Sequence, residues 1–476
     1  MSVASPWLAQ CARRHGAKTA MHFAGEGVTW AALAALSENL AAGFSRLGVA
    51  RGDVVAVRMA PHPRMAAILH ALQMLGAAML PLNLRLAEPE ARRILSHAAP
   101  RLFVDGIGTC GASVVHPFDD LDGGLASKSF AAPARLDPAA ALTIVYTSGT
   151  TSAPKGVVLT NANHAAAAAA SRQRLGHGEA DTWLGTLPLF HVGGLAILVR
   201  SALEGSTVLL ESGFDDARAA QALERGDATI VSMVPTMLAR VLDRLDGAVS
   251  PRVRCVLVGG AALSPSLGRR ALEAGLPIAA TYGMTEACSQ ICTTEPASSD
   301  AAGGRVGRPL QGVEVRIDKA DDDGNGEGIG EILVRGPTVM RGYLDNAEAD
   351  RASLRGGWLR TGDLGRLGDN GSLAVSGRVD DLVVTGGENV APLEVEQVLD
   401  QHPHVAESMV MGVDDEKWGQ RVVALVVARE GCEPGADALR EWCRVRMASY
   451  KTPREFRFTA ELPRGATGKL LRRSLR

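Results

Sequence analysis

The sequence predicts an α/β protein with a large N-terminal domain of doubly wound sheets and a β subdomain, followed by a small, mobile α+β C-terminal domain. Its 476 residues are too many for one hydrophobic core. Between residues 29 and 283, apolar runs of strand length alternate with helical patterns. Such alternation is typical of parallel, doubly wound sheets. The pattern then changes twice towards the C-terminus.

The alternating elements follow one another along the first part of the chain. Apolar positions at helical spacing over 29–47 stop at Gly48, a residue type that often ends a helix. The other predicted elements are strands at 54–59, 77–82, 139–145, 229–234, 254–260 and 277–283, and helices at 63–76, 165–170, 235–245 and 264–275.

Two changes in the residue pattern predict the remaining architecture. From Gly303 glycine becomes dense and short alternating runs are separated by turns, which indicates a smaller antiparallel β unit. After Gly377 a new block of βαβ-like patterns covers about a hundred residues, enough for an independent small domain. We therefore predict one domain over residues 1–378 and a second over 379–476.

Composition excludes several classes of protein. Fifty basic and 52 acidic residues give a net charge of −2, whereas a dedicated nucleic-acid binder is strongly basic. Seven scattered cysteines without a C-x-x-C pair predict reduced thiols and a cytoplasmic protein. No apolar run reaches the length of a membrane span, and charges occupy the place of a signal-peptide core. The sequence leaves the oligomeric state open, and a homo-oligomer is compatible with it.

The stretch YTSGTTSAPKG at 146–156 follows an apolar strand and contains hydroxyl residues, turn formers and one lysine. Backbone N–H groups and hydroxyls in such a loop can hold a phosphate chain. The Walker form G-x-x-x-x-G-K-[ST] is absent. Ser152 and Lys155 form the S-x-x-K pattern of penicillin-binding nucleophiles, but Pro154 disfavours the required helix and no K-T-G follows. A surface loop without a ligand is the remaining alternative at this stage.

Later motifs decide between these alternatives. Together with the first loop, they resemble the adenylate-forming superfamily, which contains acyl-CoA synthetases, peptide adenylation domains and firefly luciferase. The resemblance is collinear over nearly the whole chain and rests on YTSGTTSAPKGV (146–157), LPLFHVGG (187–194), TYGMTE (281–286), GEILVRGP (330–337), TGD (361–363), GRVDDLVVTGGENVAP (377–392) and PRGATGKLLR (463–472).

The resemblance implies ATP and Mg²⁺ as reaction partners and assigns the residues that hold them. Tyr282 would stack on adenine, with Gly283 in the same motif and Gly260 and Ala261 at the adenine edge. Asp363 and Arg378 would meet the ribose, although an Asp in a turn is often only a turn former. The phosphate-binding residues it implies are Thr147, Ser148, Gly149, Thr150, Thr151 and Lys155.

The catalytic residues implied by the resemblance are His191, Thr285, Glu286 and Lys469. Thr285 would meet the α-phosphate and Glu286 would hold Mg²⁺, which needs few carboxylates when phosphate oxygens are present. Lys469 would bridge the acid and the α-phosphate, a task that suits one positioned cation. The alternatives are a packed core histidine for His191 and a solvated basic tail for Lys469.

The implied reaction has two steps. A carboxylate attacks the α-phosphate of MgATP and gives an acyl-adenylate and pyrophosphate. The C-terminal domain then rotates about a hinge at Asp380, so that Gly386, Gly387 and Glu388 line a tunnel for coenzyme A. The thiolate of coenzyme A displaces AMP, and no enzyme cysteine is needed.

The acid itself is indicated by finer similarity. Stretches around 187–205, 229–238, 281–291 and 386–396 look most like o-succinylbenzoate–CoA ligases of menaquinone biosynthesis. That substrate is a small-molecule acid with two carboxylates. Arg200 would pair with the second one, with Ser289 and Gln290 nearby, unless Arg200 is a surface residue at a helix end.

Other functions stay open on the sequence alone. A fatty- or aryl-acid–CoA ligase is the main alternative, and an enzyme that loads a carrier protein or a non-catalytic regulator is a further one. The sequence departs from its relatives at Ser152, where glycine is usual and a positive φ would cost about 1 kcal/mol. The acidic run at 321–331 copies the start of an EF-hand loop but has Ile332 in place of the final Glu, so we predict a hairpin turn.

Overall fold

A computed structural model of the chain describes residues 5–106, 115–116, 133–147, 154–318, 329–385, 388–415 and 418–464. The α-helices of these residues are α1 (Trp7–His15), α2 (Trp30–Arg46), α3 (Pro63–Leu75), α4 (Glu88–Ala98), α5 (Asn161–Leu175), α6 (Val192–Glu204), α7 (Asp216–Arg225), α8 (Pro235–Leu242), α9 (Pro265–Glu273), α10 (Ser299–Ala302), α11 (Ala347–Ser353), α12 (Pro392–Leu399) and α13 (Ala436–Arg444). None of these helices is both long enough and apolar enough to cross a bilayer.

The strands of the described residues, in chain order, are β1 (Thr19–Phe23), β2 (Glu26–Thr29), β3 (Val54–Arg58), β4 (Ala78–Pro81), β5 (Leu102–Asp105), β6 (Val115–His116), β7 (Ala141–Thr147), β8 (Lys155–Thr160), β9 (Thr182–Gly185), β10 (Thr207–Leu210), β11 (Ile230–Met233), β12 (Cys255–Val258), β13 (Ile278–Met284), β14 (Ser289–Thr293), β15 (Arg308–Pro309), β16 (Glu314–Asp318), β17 (Gly330–Arg335), β18 (Gly342–Tyr343), β19 (Leu354–Arg355), β20 (Trp358–Leu367), β21 (Leu373–Arg378), β22 (Val383–Thr385), β23 (Glu388–Val390), β24 (Val405–Asp415), β25 (Gly419–Ala428) and β26 (Glu455–Phe458).

Two large sheets form the N-terminal part. The first has the order β15-β14-β13-β12-β11-β9-β10-β1-β2, and the pairs from β13 to β1 are parallel. The second has the order β18-β8-β7-β4-β3-β5-β6 and is parallel from β7 to β6. Parallel strands and crossing helices confirm the predicted doubly wound α/β class.

Helices buried between the two sheets form the main core. Trp30 of α2, Ile68 of α3 and Leu198 of α6 pack in one apolar cluster with Val57 of the second sheet and Trp183 of the first. Local sequence fixes the helix termini. At the start of α2, for example, the Thr29 side chain accepts a hydrogen bond from the Ala32 N–H. Such burial from several sides explains the continuous apolar runs of the sequence.

The glycine-dense region forms the predicted antiparallel β unit. Strands β16, β17, β20 and β19 make one sheet, and β21 pairs with β20. The acidic run predicted as a hairpin turn lies mostly outside the described residues, and the strands on either side of it, β16 and β17, pair in antiparallel fashion.

The C-terminal part forms a separate five-stranded sheet, β23-β22-β25-β24 with β26 beside β25. Helices α12 and α13 pack on it through Val395, Leu399 and Leu439. The predicted βαβ pattern is found only in part, because only the β25–β26 pair of this sheet is parallel and the other described pairs are antiparallel. The large and small domains of the predicted fold are both present, and the boundary between residues 378 and 379 stays a prediction.

Candidate functional site

The predicted nucleotide residues lie at the carboxyl ends of neighbouring parallel strands. β13 carries Tyr282 and Gly283 and leads into a 3-10 turn over Thr285–Ala287. Gly260 and Ala261 follow the end of β12, the parallel neighbour of β13, and both are exposed. Open α/β sheets bind ligands in the crevice at this edge.

The carboxylate of Asp363, from the β unit, contacts Tyr282 at this edge of the sheet. The Tyr282 hydroxyl donates to Asp363 Oδ2 over 2.7 Å, and Arg378 Nη1 lies 3.4 Å from Asp363 Oδ1. β20 and β21 bring Asp363 directly opposite Arg378 in their antiparallel register. Burial and the neighbouring Asp363 charge raise the pKa of Tyr282 well above its ordinary value, so its hydroxyl stays a donor. The structure thus brings together three of the predicted residues.

Glu286 and Lys155 both contact the side chain of Tyr343. The Tyr343 hydroxyl donates to Glu286 Oε1 over 3.1 Å, and Lys155 Nζ lies 5.3 Å from the centre of the Tyr343 ring. Glu286 is 9% exposed, and burial raises the pKa of its carboxyl. Thr147 pairs with Lys155 across β7 and β8, so both ends of the predicted phosphate loop are fixed by a hairpin ladder.

Glu286 has the chemistry of a magnesium ligand. No group of three or more His, Cys, Asp or Glu side chains that could hold a metal occurs among the described residues. Mg²⁺ at nucleotide sites commonly takes one or two carboxylates and fills its other positions with phosphate oxygens and water. A single buried carboxylate therefore fits an ion that arrives with a polyphosphate.

His191 lies directly before α6, the helix that carries Arg200. It is the residue before the first helical turn, half-buried, with its ring centre 4.5 Å from that of Phe190. The turn before it is tight, because a Cβ on Gly194 would overlap the Pro188 carbonyl oxygen. The glycines of the motif therefore serve the backbone path that leads into α6.

Arg200, on the same helix, is not the surface residue that the sequence left as an alternative. It is 2% exposed, and its Nη2 donates to Gln290 Oε1 over 2.8 Å. Its guanidinium carbon lies 5.6 Å from the Trp183 ring, and its Nε has no hydrogen-bond partner among the described residues. Burial lowers the pKa of Arg200 to about 10, so it is still a cation at neutral pH.

The segment between Glu286 and Gln290 is strained. Cys288 and Ser289 have φ of +53° and +96°, values that side chains with a Cβ rarely adopt. The Ser289 carbonyl oxygen fills the space where a Cβ on Gly283 would stand, so Gly283 permits the close pairing of β13 and β14. Backbone strain of this kind is often found at functional sites.

A buried histidine contacts the strained segment. His164 Nε2 lies 2.8 Å from Thr143 Oγ1, and its Nδ1 lies 3.6 Å from Cys288 Sγ. Burial lowers the pKa of His164 to about 3 and raises the pKa of Cys288 to about 12. The two groups are therefore neutral at physiological pH, and Cys288 is not an activated nucleophile.

Two residues of the site were missed by the sequence analysis. Tyr343 reaches Glu286 because β18 pairs with β8, with Gly342 opposite Val158. His164 reaches Cys288 from the first turns of α5. Neither residue lies in one of the motifs that carry the resemblance, so only the long-range pairing identifies them.

Several predicted residues cannot be compared with the structure. Ser148, Gly149, Thr150, Thr151, Gly386, Gly387 and Lys469 lie outside the described residues. Asp380 belongs to a 3-10 turn over Val379–Asp381, and Glu388 begins β23 with an exposed side chain. Glu388 thus lies on the C-terminal sheet, whereas the nucleotide residues lie on the N-terminal sheets and the β unit.

Comparison with known families gives two matches in sequence order. The sequence model described as AMP-binding enzyme matches residues 8–344. The model described as AMP-binding enzyme C-terminal domain matches residues 394–469.

Curated and solved proteins match over the full length. A 2-succinylbenzoate–CoA ligase of Geobacillus kaustophilus (strain HTA426) is 40% identical over 489 residues, covering 100% of this chain and 98% of the relative. The Bacillus subtilis o-succinylbenzoate coenzyme A synthetase, in complex with the acyl-adenylate intermediate OSB-AMP, aligns with a TM-score of 0.90 at 36% identity, covering 99% of this chain and 98% of that one. Its complex with ATP and magnesium ion also gives 0.90 and 36%, covering 99% of both chains.

Proposed function

The chain belongs to the AMP-binding enzyme family, and we propose that it joins 2-succinylbenzoate, also called o-succinylbenzoate, to coenzyme A. It is an AMP-forming acid–thiol ligase: it consumes ATP with Mg²⁺, forms an acyl-adenylate, and transfers the acyl group to coenzyme A. The observation that carries this function is the full-length similarity to 2-succinylbenzoate–CoA ligases. The reaction belongs to menaquinone biosynthesis.

The nucleoside of ATP binds at the edge formed by β12, β13 and the β unit. Tyr282 stacks on adenine, and Gly260 and Ala261 border it. Asp363 accepts hydrogen bonds from the ribose hydroxyls, with Arg378 beside it. The hydrogen bond from Tyr282 to Asp363 supports this assignment, because it holds both groups in place before the nucleotide arrives.

The phosphates bind between the β7–β8 hairpin and the 3-10 turn after β13. Lys155 and Thr147 hold the outer phosphates together with the residues at 148–151, and Thr285 meets the α-phosphate. Glu286 holds Mg²⁺, which neutralises phosphate charge. The shared contact of Lys155 and Glu286 with Tyr343 supports this arrangement, because it places a cation and an anion on the same side chain.

The second carboxylate of the acid binds to Arg200, and His191 and Ser289 border the acyl group. A buried guanidinium is costly unless an anion pairs with it. Arg200 has one described hydrogen bond, to the neutral Gln290, and its Nε lacks a partner among the described residues. Burial lowers the pKa of Arg200 and the Glu204 carboxylate raises it, but Glu204 is bound to His177 and has no described hydrogen bond to Arg200. An incoming carboxylate would therefore be its direct partner and accept from the guanidinium.

The two half-reactions use the C-terminal domain, residues 379–476, in two orientations relative to residues 1–378. Lys469 stabilises the first transition state. Rotation at Asp380 then replaces it with the segment of Gly386, Gly387 and Glu388, along which coenzyme A enters. We also place the reaction in the cytoplasm, since the six cysteines among the described residues are all free. Homo-oligomer formation stays a prediction.

The test measures pyrophosphate, AMP and thioester in one reaction of the full-length chain. With ATP, Mg²⁺ and coenzyme A, 2-succinylbenzoate is expected to give the three products in equal amounts. AMP release without a thioester would reject coenzyme A as acceptor and favour a carrier protein. Higher kcat/KM for a fatty or simple aryl acid would reject 2-succinylbenzoate as the preferred acid.

A further inference from the structure

One cavity of the described residues lies apart from the residues assigned above. It is a groove of about 1100 Å³ between α1, α5 and the segment 176–181, and we name it the α1–α5 groove. Its apolar lining includes Trp7 of α1 and Ala162, Ala166 and Ala169 on one face of α5. Its volume is slightly above the range of about 300–1,000 Å³ that is typical of small-molecule sites.

The charges around the groove are unevenly paired. Asp181 accepts Arg254 Nε over 3.0 Å, Glu204 lies 2.5 Å from His177 Nδ1, and Glu179 lies 3.5 Å from His15 Nε2. The acidic groups that line the groove are therefore all engaged.

Two cations of the groove are not engaged. Arg14 of α1 and Arg172 of α5 both line it and are exposed, and neither side chain has a hydrogen bond or ion pair with another described residue. Two guanidinium groups separated by 158 positions in the sequence thus meet at one apolar groove. Guanidinium groups pair preferentially with carboxylate and phosphate groups.

The floor of the groove is apolar. Trp7 lines it and is 2% exposed, and the alanines of α5 face it from the other helix. The groove therefore combines an apolar floor with two arginine side chains that have no partner among the described residues.

We infer that the α1–α5 groove is a second binding site, which takes an amphipathic organic anion: one carboxylate or sulfonate on an apolar body. The anionic group pairs with Arg172 and Arg14, and the apolar body covers the alanine face of α5. The groove contains none of the residues assigned to ATP, Mg²⁺ or the acid. This site does not depend on the proposed function, so either can fail without the other.

The probe is 8-anilino-1-naphthalenesulfonate, a fluorescent amphipathic anion. It is titrated into the full-length protein with AMP and 2-succinylbenzoate at saturation, so that the proposed acyl site is occupied. We expect a saturable site with one probe per chain. Arg172→Ala is expected to weaken it by about tenfold, and Ala169→Glu, which adds a carboxylate to the exposed face, by at least as much.

Arg269→Ala is the matched control, because Arg269 is an exposed arginine of α9 outside the groove. We expect it to bind the probe like the unchanged protein. Decanoate is expected to displace the probe, whereas decanol, which lacks the charge, is not. Equal probe affinity in Arg172→Ala, Ala169→Glu and Arg269→Ala, or equal displacement by decanol, would overturn the proposal.

Discussion

The proposed nucleotide half and the proposed acid half of the site differ in how their polar groups are satisfied. Asp363 is held by Tyr282 and Arg378, and Glu286 by Tyr343. In the acid half Arg200 is deeply buried, donates to the neutral Gln290, and keeps an Nε without a described partner. One half is organised by the protein itself. In the other half the acidic group that acts on Arg200, Glu204, is bound to His177, so a directly bonded anion is left for the substrate to supply.

This difference suggests how one fold can keep its nucleotide chemistry while the acid varies. A prearranged set of hydrogen bonds stabilises a ligand that never changes, and it costs no reorganisation during the reaction. A buried cation without a directly bonded anion instead rejects an acid that cannot pair with it, because the desolvation cost is then not fully recovered. The following predictions test this division.

The largest effect is expected for Asp363→Ala, which removes the carboxylate that Tyr282 and Arg378 contact and that we propose binds the ribose. We expect kcat/KM for ATP to fall by about 10²–10³-fold, as for the loss of a positioned polar group at a reacting ligand. Pyrophosphate release measures it. Asp369→Ala, in the exposed turn after β20, is the control and should leave kcat/KM unchanged. A loss below about threefold in Asp363→Ala would contradict the assignment.

Arg200→Met is expected to act on the acid alone. It should lower kcat/KM for 2-succinylbenzoate by about 10²-fold, the cost of leaving a carboxylate unpaired, and leave KM for ATP unchanged. Since an apolar residue replaces a buried, poorly paired cation, Tm should stay equal or rise. Tm is read by thermal denaturation.

The comparison acids for Arg200→Met are 2-butanoylbenzoate and 4-oxo-4-phenylbutanoate, each of which lacks one of the two carboxylates. The acid without the carboxylate that Arg200 binds should react equally well with both proteins. If the variant lost the same factor on 2-succinylbenzoate and on the acid that lacks only the carboxylate assigned to Arg200, together with stability, Arg200 would be structural and the two halves would not differ as described.

The magnesium requirement is expected to depend on pH through Glu286. Burial raises its pKa, so the carboxyl takes up a proton at a higher pH than an exposed glutamate does. The protonated form cannot bind Mg²⁺, and the apparent KM for Mg²⁺ should rise by up to about tenfold per pH unit below that pKa.

Glu286→Gln supplies the control for this pH dependence, because an amide does not titrate in this range. The variant should have a high KM for Mg²⁺ that is the same at acid and neutral pH. A wild-type profile that stays flat down to the range of free glutamate, with pKa about 4.3, would exclude Glu286 as the ligand.

The smallest effect concerns the strained turn of the acid half. Ser289 has φ of +96°, a conformation that costs a residue with a Cβ about 1 kcal/mol or more relative to glycine. We expect Ser289→Gly to be more stable than Ser289→Ala by about 1 kcal/mol in urea denaturation. Equal stability of the two variants would show that the turn relaxes without strain.

Much of the molecule follows from local sequence. Helix α2 was predicted over 29–47 and is found over Trp30–Arg46, because its apolar spacing and its terminal Gly48 are local signals. The parallel strands at 254–260 and 277–283 were predicted for the same reason. The residue types of the nucleotide half follow from motifs whose members lie close together in sequence.

The tertiary structure alone decided which distant groups meet. Tyr343 reaches Glu286 only because β18 pairs with β8, and Arg200 is buried only because the sheets close around α6 against Gln290. The α1–α5 groove likewise exists only where two helices from different parts of the chain approach. Periodicity and propensity act over a few residues, whereas burial, and with it the cost of an unpaired charge, is set by packing between elements far apart in sequence.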